Sequence, residues 1–87
     1  MNLVTGAAGF SGSYVVRELL ERGERVIATD LASAWGSDET RRVLAAIGVP
    51  IEHPALEIVP ADLLDPATLA PLFARPITRV FHTASLY

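Results

Sequence analysis

The chain contains no cysteine and no lysine. Without cysteine there are no disulfides and no thiolate metal sites. Without lysine there is no P-loop, whose glycine turn has to end in Gly-Lys-Ser/Thr. A lysine that lowers the pKa of a catalytic tyrosine is missing for the same reason. No apolar run approaches the ~18 residues of a membrane span, so no membrane partner is expected. The seven basic residues are all arginines, scattered along the chain against ten acids, for a net charge of −3. That balance, with no basic cluster, argues against a nucleic-acid partner. The N-terminus lacks the basic region of a signal peptide, and a cytoplasmic location is expected.

What the 87 residues do hold is apolar: 51% are hydrophobic, with a mean hydropathy of +0.36. A chain this short makes one small domain, burying only ~60–65% of the surface it exposes when unfolded. Parallel sheets covered on both faces give such high apolar content, because their strands are apolar throughout.

The pattern alternates strands with helices. Met1 to Thr5 reads as a strand, followed by a glycine-rich turn and a helix from about Ser11 to Arg22. Val15, Val16, Leu19 and Leu20 line one side of that helix, and Arg17, Glu18, Glu21 and Arg22 the other. Gly23 sits where a left-handed C-cap is wanted. A second strand, Arg25 to Thr29, is closed by Asp30. Leu31 to Gly36 reads as a loop, and Ser37 caps a helix that turns Val43, Leu44 and Ile47 inward. A third strand at Leu56 to Val59 leads into Asp62 and Leu63. Asp65-Pro66 starts a helix kept short by Pro71, which removes a backbone donor and leaves open a split into two turns. Arg79 to Thr83 reads as a buried fourth strand. Right-handed crossovers between such elements give an α/β fold: a partial Rossmann fold with a parallel sheet of about four strands, order 3-2-1-4, flanked by helices. A sheet ending on that strand would leave an unpaired edge. Residues 1–87 are therefore expected to be the N-terminal part of a dinucleotide-binding domain in a longer protein, with the substrate domain absent.

The turn Thr5-Gly6-Ala7-Ala8-Gly9-Phe10-Ser11-Gly12 carries the chemistry. Gly6 suits the tight turn, Gly9 has no side chain to block a diphosphate, and Gly12 lets the helix pack closely on the strand. The helix amides near Phe10 and Ser11 would then face the negative charge. Asp30, ending the next strand about twenty residues on, can accept both adenosine ribose hydroxyls and would repel a 2′-phosphate. No arginine follows it until Arg41, so NAD is preferred over NADP. Asp62 has two readings. It either accepts from an adenine amino group, with Leu63 lining the ring, or caps a turn in its loop. His53 and Trp35 read as surface or packing residues.

Together these residues, with His82-Thr83-Ala84-Ser85 at the end of the fourth strand, resemble the extended short-chain dehydrogenase/reductase superfamily of the NAD-dependent epimerase/dehydratase type. The resemblance covers essentially the whole chain. It implies that Gly6, Gly9, Phe10, Ser11 and Gly12 cradle the pyrophosphate, that Asp30 holds the ribose, and that Asp62 and Leu63 contact adenine. Ala84 and Ser85 would border the cofactor with their backbone. Ser11 departs from the family's usual aliphatic residue, and Ser85 from its second alanine. The family's proton exchange uses a Tyr-x-x-x-Lys pair, which neither Tyr14 nor Tyr87 can form here. His82 is not the family's acid or base, so no catalytic residue is expected in the chain.

The resemblance thus implies the cofactor-binding portion of an NAD-dependent oxidoreductase, epimerase or dehydratase. Its substrate would be a small molecule, a sugar nucleotide or similar alcohol or ketone, and the parent a homodimer. By itself the chain is expected to be inactive. The alternative is a non-catalytic dinucleotide-binding sensor or regulatory module, in which the glycine turn persists without the tyrosine and lysine.

Overall fold

Neighbouring residues of the first strand face opposite ways, and both faces are buried. A computed structural model describes residues 1–49 and 51–83. In chain order these form β1 (Asn2–Thr5), α1 (Phe10–Glu21), β2 (Val26–Asp30), α2 (Ala32–Trp35), α3 (Asp38–Ala46), β3 (Leu56–Pro60), α4 (Pro66–Phe73) and β4 (Arg79–His82). The four strands make one parallel sheet in the expected order β3-β2-β1-β4. Val4, Val26 and Ala28 pack on one side of it with Val16, Leu19 and Leu20 of α1 and Leu44 of α3. Leu3 and Ile27 pack on the other with Ala61 and Leu72 of α4. This is the period-two alternation of a strand with apolar residues at both phases.

The register sets all four carboxyl ends on one edge: Thr5 lies beside Thr29 and His82, and Asp30 beside Pro60. α1 ends as its sequence dictates, with Gly23 at φ 76 and its amide donating to Leu20 C=O at 3.0 Å. α4 starts at Asp65, whose Oδ1 accepts from Ala67 N at 3.1 Å, with Pro66 in the first turn. Asp65→Ala is expected to remove about 1 kcal/mol of stability, which thermal unfolding would read as a drop of roughly 4–8 °C.

Three local expectations are corrected, and one open reading is decided. β4 is not buried: Arg79, Val80 and His82 are exposed and Phe81 is half-buried. Among the described residues the strand pairs with β1 alone, so it is an edge. Val43 is 43% exposed, because Leu44 takes the inward position of α3. Successive helical residues are about 100° apart, so Val43 is carried outward while Ile47, three residues on from Leu44, packs on the core. Leu31 to Gly36 is not all loop. Ala32–Trp35 form one helical turn, with Gly36 N donating to Ala32 C=O at 3.0 Å and Trp35 packing against the core. Finally, α4 runs through Pro71 without splitting.

The amino edge of the sheet has its own polar tie. Asn2 Nδ2 donates to Glu24 Oε1 at 3.3 Å, Arg79 pairs with the same carboxylate, and Arg79 Nε donates to Asn2 Oδ1 at 2.9 Å. The Asn2 amide first, and Arg79 second, hold the Glu24 carboxyl below the usual carboxylate range. A lowered carboxylate stabilises the fold above its unfolded-state pKa, and that contribution is lost as pH falls through the folded value. The tie therefore weakens in acid. It lies at the opposite end of the strands from the glycine turn.

Candidate functional site

Leaving β1 at Thr5, the chain turns sharply into α1 over the sheet's carboxyl edge. Gly6 takes φ 65, a left-handed angle that a side chain would strain. The turn closes through Gly9 N, which donates to Gly6 C=O at 3.0 Å. Ala7 N donates to Thr29 C=O at 3.1 Å and so ties the turn to the end of β2. Gly12 is buried, and a Cβ there would meet Gly6 C=O at 2.2 Å. The expected close approach of helix and strand is thus an approach of the helix to the turn itself.

The N-terminus of α1 differs from those of α3 and α4. Ser37 caps α3 by accepting from Thr40 N, with Asp38 and Glu39 in its first turn, and Asp65 caps α4. Gly9, the N-cap of α1, has no side chain to offer, and no acid stands in the first turn. Among the described residues, the first helical amide with a partner is that of Ser13, bonded to Gly9 C=O at 2.9 Å. The preceding amides, of Phe10, Ser11 and Gly12, carry the positive end of the helix with no capping side chain and no acid in the first turn. Phe10 and Ser11 are exposed, and the Phe10 ring packs edge-on against Tyr14 at 5.0 Å between centroids. Ser11, where an aliphatic residue would sit in the resemblance, faces out and fills nothing beneath the turn.

Asp30 stands beside this turn. Its Oδ2 accepts from Ala8 N at 3.0 Å and its Oδ1 from Leu31 N at 2.8 Å. A carboxylate has about four acceptor sites, so about half of its capacity stays open at the rim. No sequence signal announces the Asp30–Ala8 bond. Only the fold shows that the end of β2 lies against the turn after β1.

Asp62 does what one of its two readings requires. Its Oδ1 accepts from Leu64 N at 2.9 Å, and its own amide donates to Thr68 Oγ1 at 2.9 Å. Leu63 is 36% exposed on the same carboxyl edge. Ala84 and Ser85 lie outside the described residues. His82 Nδ1 is 2.7 Å from Thr5 Oγ1, and His53 Nδ1 accepts from Ala55 N at 3.1 Å. Among the described residues no cluster of His, Asp and Glu is arranged to hold a metal, and no helix is long and apolar enough to cross a membrane.

Known proteins resemble this chain in sequence and in fold. The model of the NAD dependent epimerase/dehydratase family matches residues 2–87. UDP-glucuronate 4-epimerase 3 of Arabidopsis thaliana is 36% identical over 84 residues, covering 95% of this chain and 19% of that protein. Among solved structures, the Bordetella bronchiseptica enzyme WbmH in complex with NAD+ superposes with a TM-score of 0.74 at 31% identity, over 99% of this chain and 26% of that one. The UDP-glucose 4-epimerase of Thermus thermophilus, in complex with NAD, superposes with a TM-score of 0.69 at 34% identity, over 98% of this chain and 24% of that one. The chain thus spans about a fifth to a quarter of the length of these relatives.

Proposed function

The chain belongs to the NAD dependent epimerase/dehydratase family, and from that premise we propose that it is a dinucleotide-gripping unit specific for NAD. The observation that carries this reading is the uncapped start of α1 at the sheet's carboxyl edge, with the Asp30 carboxylate held against the same turn. The pyrophosphate lies on the amides of Phe10, Ser11 and Gly12, where backbone donors and the helix dipole both favour negative charge. Gly9 leaves that surface free of a side chain, and Gly12 lets the helix start close against the turn. Asp30 accepts from the adenosine ribose hydroxyls with its open lone pairs and repels a phosphate at the 2′ position. Leu63 lines the adenine ring, and Asp62 meets the adenine amino group from the turn it caps. The backbone of Ala84 and Ser85 borders the nicotinamide-side ribose.

The donor set fits such a cofactor: amides for the anion, a carboxylate for the diol, apolar surface for the base. Bound NAD supplies a hydride acceptor, and the residues of this chain bind and orient it. The whole protein acts on a sugar nucleotide or a similar alcohol or ketone. Support for that substrate class comes from UDP-sugar epimerases among the similar proteins. The proton exchange that accompanies hydride movement needs groups beyond these, because no lysine is present to activate Tyr14 or Tyr87. Without those groups the chain does not turn over substrate.

Binding to the chain is expected to be weak, since only the adenosine and pyrophosphate contacts are offered. Titration with NAD should give a small thermal shift and move the amide resonances of residues 6–12 and 30–31 before any others. Nanomolar affinity, or perturbation confined to other residues, would refute this assignment.

A further inference from the structure

We propose that Thr83 is a positioning residue that sets the distance between the end of β1 and the free amides of α1, and so tunes the grip on the pyrophosphate. The inference rests on the dinucleotide reading above and extends it to a residue that reading does not use.

Thr83 follows the last residue of β4 and lies directly across from the turn. Its hydroxyl donates to Thr5 C=O, and its amide donates to the same oxygen at 3.3 Å. That carbonyl belongs to the last residue before Gly6, where the chain takes its left-handed angle. On the other side, the Thr83 hydroxyl occupies the space that Gly12 leaves open. A Cβ on Gly12 would come within 2.7 Å of Thr83 Oγ1. One hydroxyl therefore touches both the strand that enters the turn and the helix that leaves it.

The neighbouring residue completes the grip. His82 Nδ1 is 2.7 Å from the Thr5 hydroxyl. Consecutive residues of an extended strand face opposite ways, so His82 and Thr83 hold Thr5 from the two sides of the sheet. Thr5 is 4% exposed, and its carbonyl and hydroxyl are both engaged by the end of β4. The anion-binding amides lie within one helical turn of Gly12. A change in the Gly12–Thr83 contact changes where they point. The edge strand thus contributes to binding through the position of the turn, with no contact to the ligand required.

The test uses the chain with Thr83→Val, which keeps the shape and the backbone bond but loses the hydroxyl, and Thr83→Ser, which keeps the hydroxyl. Two readouts are taken: the amide resonances of Gly6 and Phe10 to Gly12 without ligand, and NAD affinity by titration. Thr83→Val should move those resonances and weaken NAD about five- to tenfold, the range for one hydrogen bond. Thr83→Ser should restore both. The proposal is overturned if Thr83→Val leaves resonances and affinity unchanged, or if Thr83→Ser behaves like Thr83→Val, which would assign the effect to packing. Failure of the unsubstituted chain to bind NAD would instead remove the dinucleotide reading. The ligand-free resonances then decide the positioning role alone: moved by valine and restored by serine supports it, and anything else ends it.

Discussion

Gly12→Ala is expected to lower the melting temperature by roughly 10 °C and to abolish NAD binding. The added methyl would sit 2.2 Å from Gly6 C=O and 2.7 Å from both the Gly6 carbonyl carbon and Thr83 Oγ1. Ordinary contact starts near 3.4 Å, and two of these three atoms are backbone, so roughly 1 Å of main-chain displacement is required. Overpacking of this kind costs about 1–3 kcal/mol and sometimes more. Alanine's better helix propensity returns up to about 1 kcal/mol. Because two of the atoms that must move are backbone, the cost falls at the upper end of the overpacking range, and the net loss of about 2 kcal/mol translates into a shift of that size for a domain this small. Binding suffers more than stability, because the displaced atoms are those of the turn and the first helical amides. Gly36→Ala is the control. Its φ is an ordinary −77 and nothing lies closer than 3.5 Å, so it should be neutral. Differential scanning calorimetry with and without NAD checks both variants. Normal NAD binding by the Gly12 variant would show that the close approach of helix to turn is dispensable.

Asp30→Ala should relax cofactor selectivity and weaken NAD by about a hundred- to ten-thousandfold. Hydrogen bonds to a charged acceptor are worth about 1.5–3 kcal/mol each, and the ribose diol offers two donors. In the proposed ribose role, removing the carboxylate also removes a repulsion toward a 2′-phosphate, so NADP should lose less than NAD or gain. The structure adds a second effect. The part-buried Ala8 amide loses its partner, and a buried donor left unpaired costs about 1–3 kcal/mol, the upper bound here. Affinity for both dinucleotides therefore carries a common loss from the loosened turn, and their ratio isolates the ribose contribution. Parallel titrations with NAD and NADP measure it. An unchanged ratio would leave Asp30 as a strut for the turn and nothing more.

The parts legible in the sequence are those governed by local rules. Gly6, Gly23 and the apolar phases of β1 and β2 announce their conformations, alternation of strand and helix announces the parallel sheet, and the Rossmann-type glycine turn supplies its order. What stayed hidden depends on contacts between segments distant in the chain. The Asp30–Ala8 bond joins two turns that follow different strands, and a threonine–glycine contact such as Thr83 with Gly12 has no spacing rule to betray it. Asp62 stood between two readings for a chemical reason: a loop carboxylate meets backbone donors and ligand donors with the same atoms. The turn-capping bond is visible in the fold, and the adenine contact waits on the titration.

Pairing of β1 with β4 joins residues 77 positions apart, as at Thr5 and His82. Closing so long a loop carries an entropic penalty that only non-local contacts repay, which makes this step slow relative to the β1–β2 crossover. During synthesis β1 emerges first and waits for β4, 77 positions further along at Thr5 and His82, to leave the ribosome. Its hydrogen-bonding groups on that side stay open in the interval, a window in which a chaperone or another nascent chain competes for them. The geometry of the glycine turn is accordingly complete only after β4 has emerged and docked beside β1.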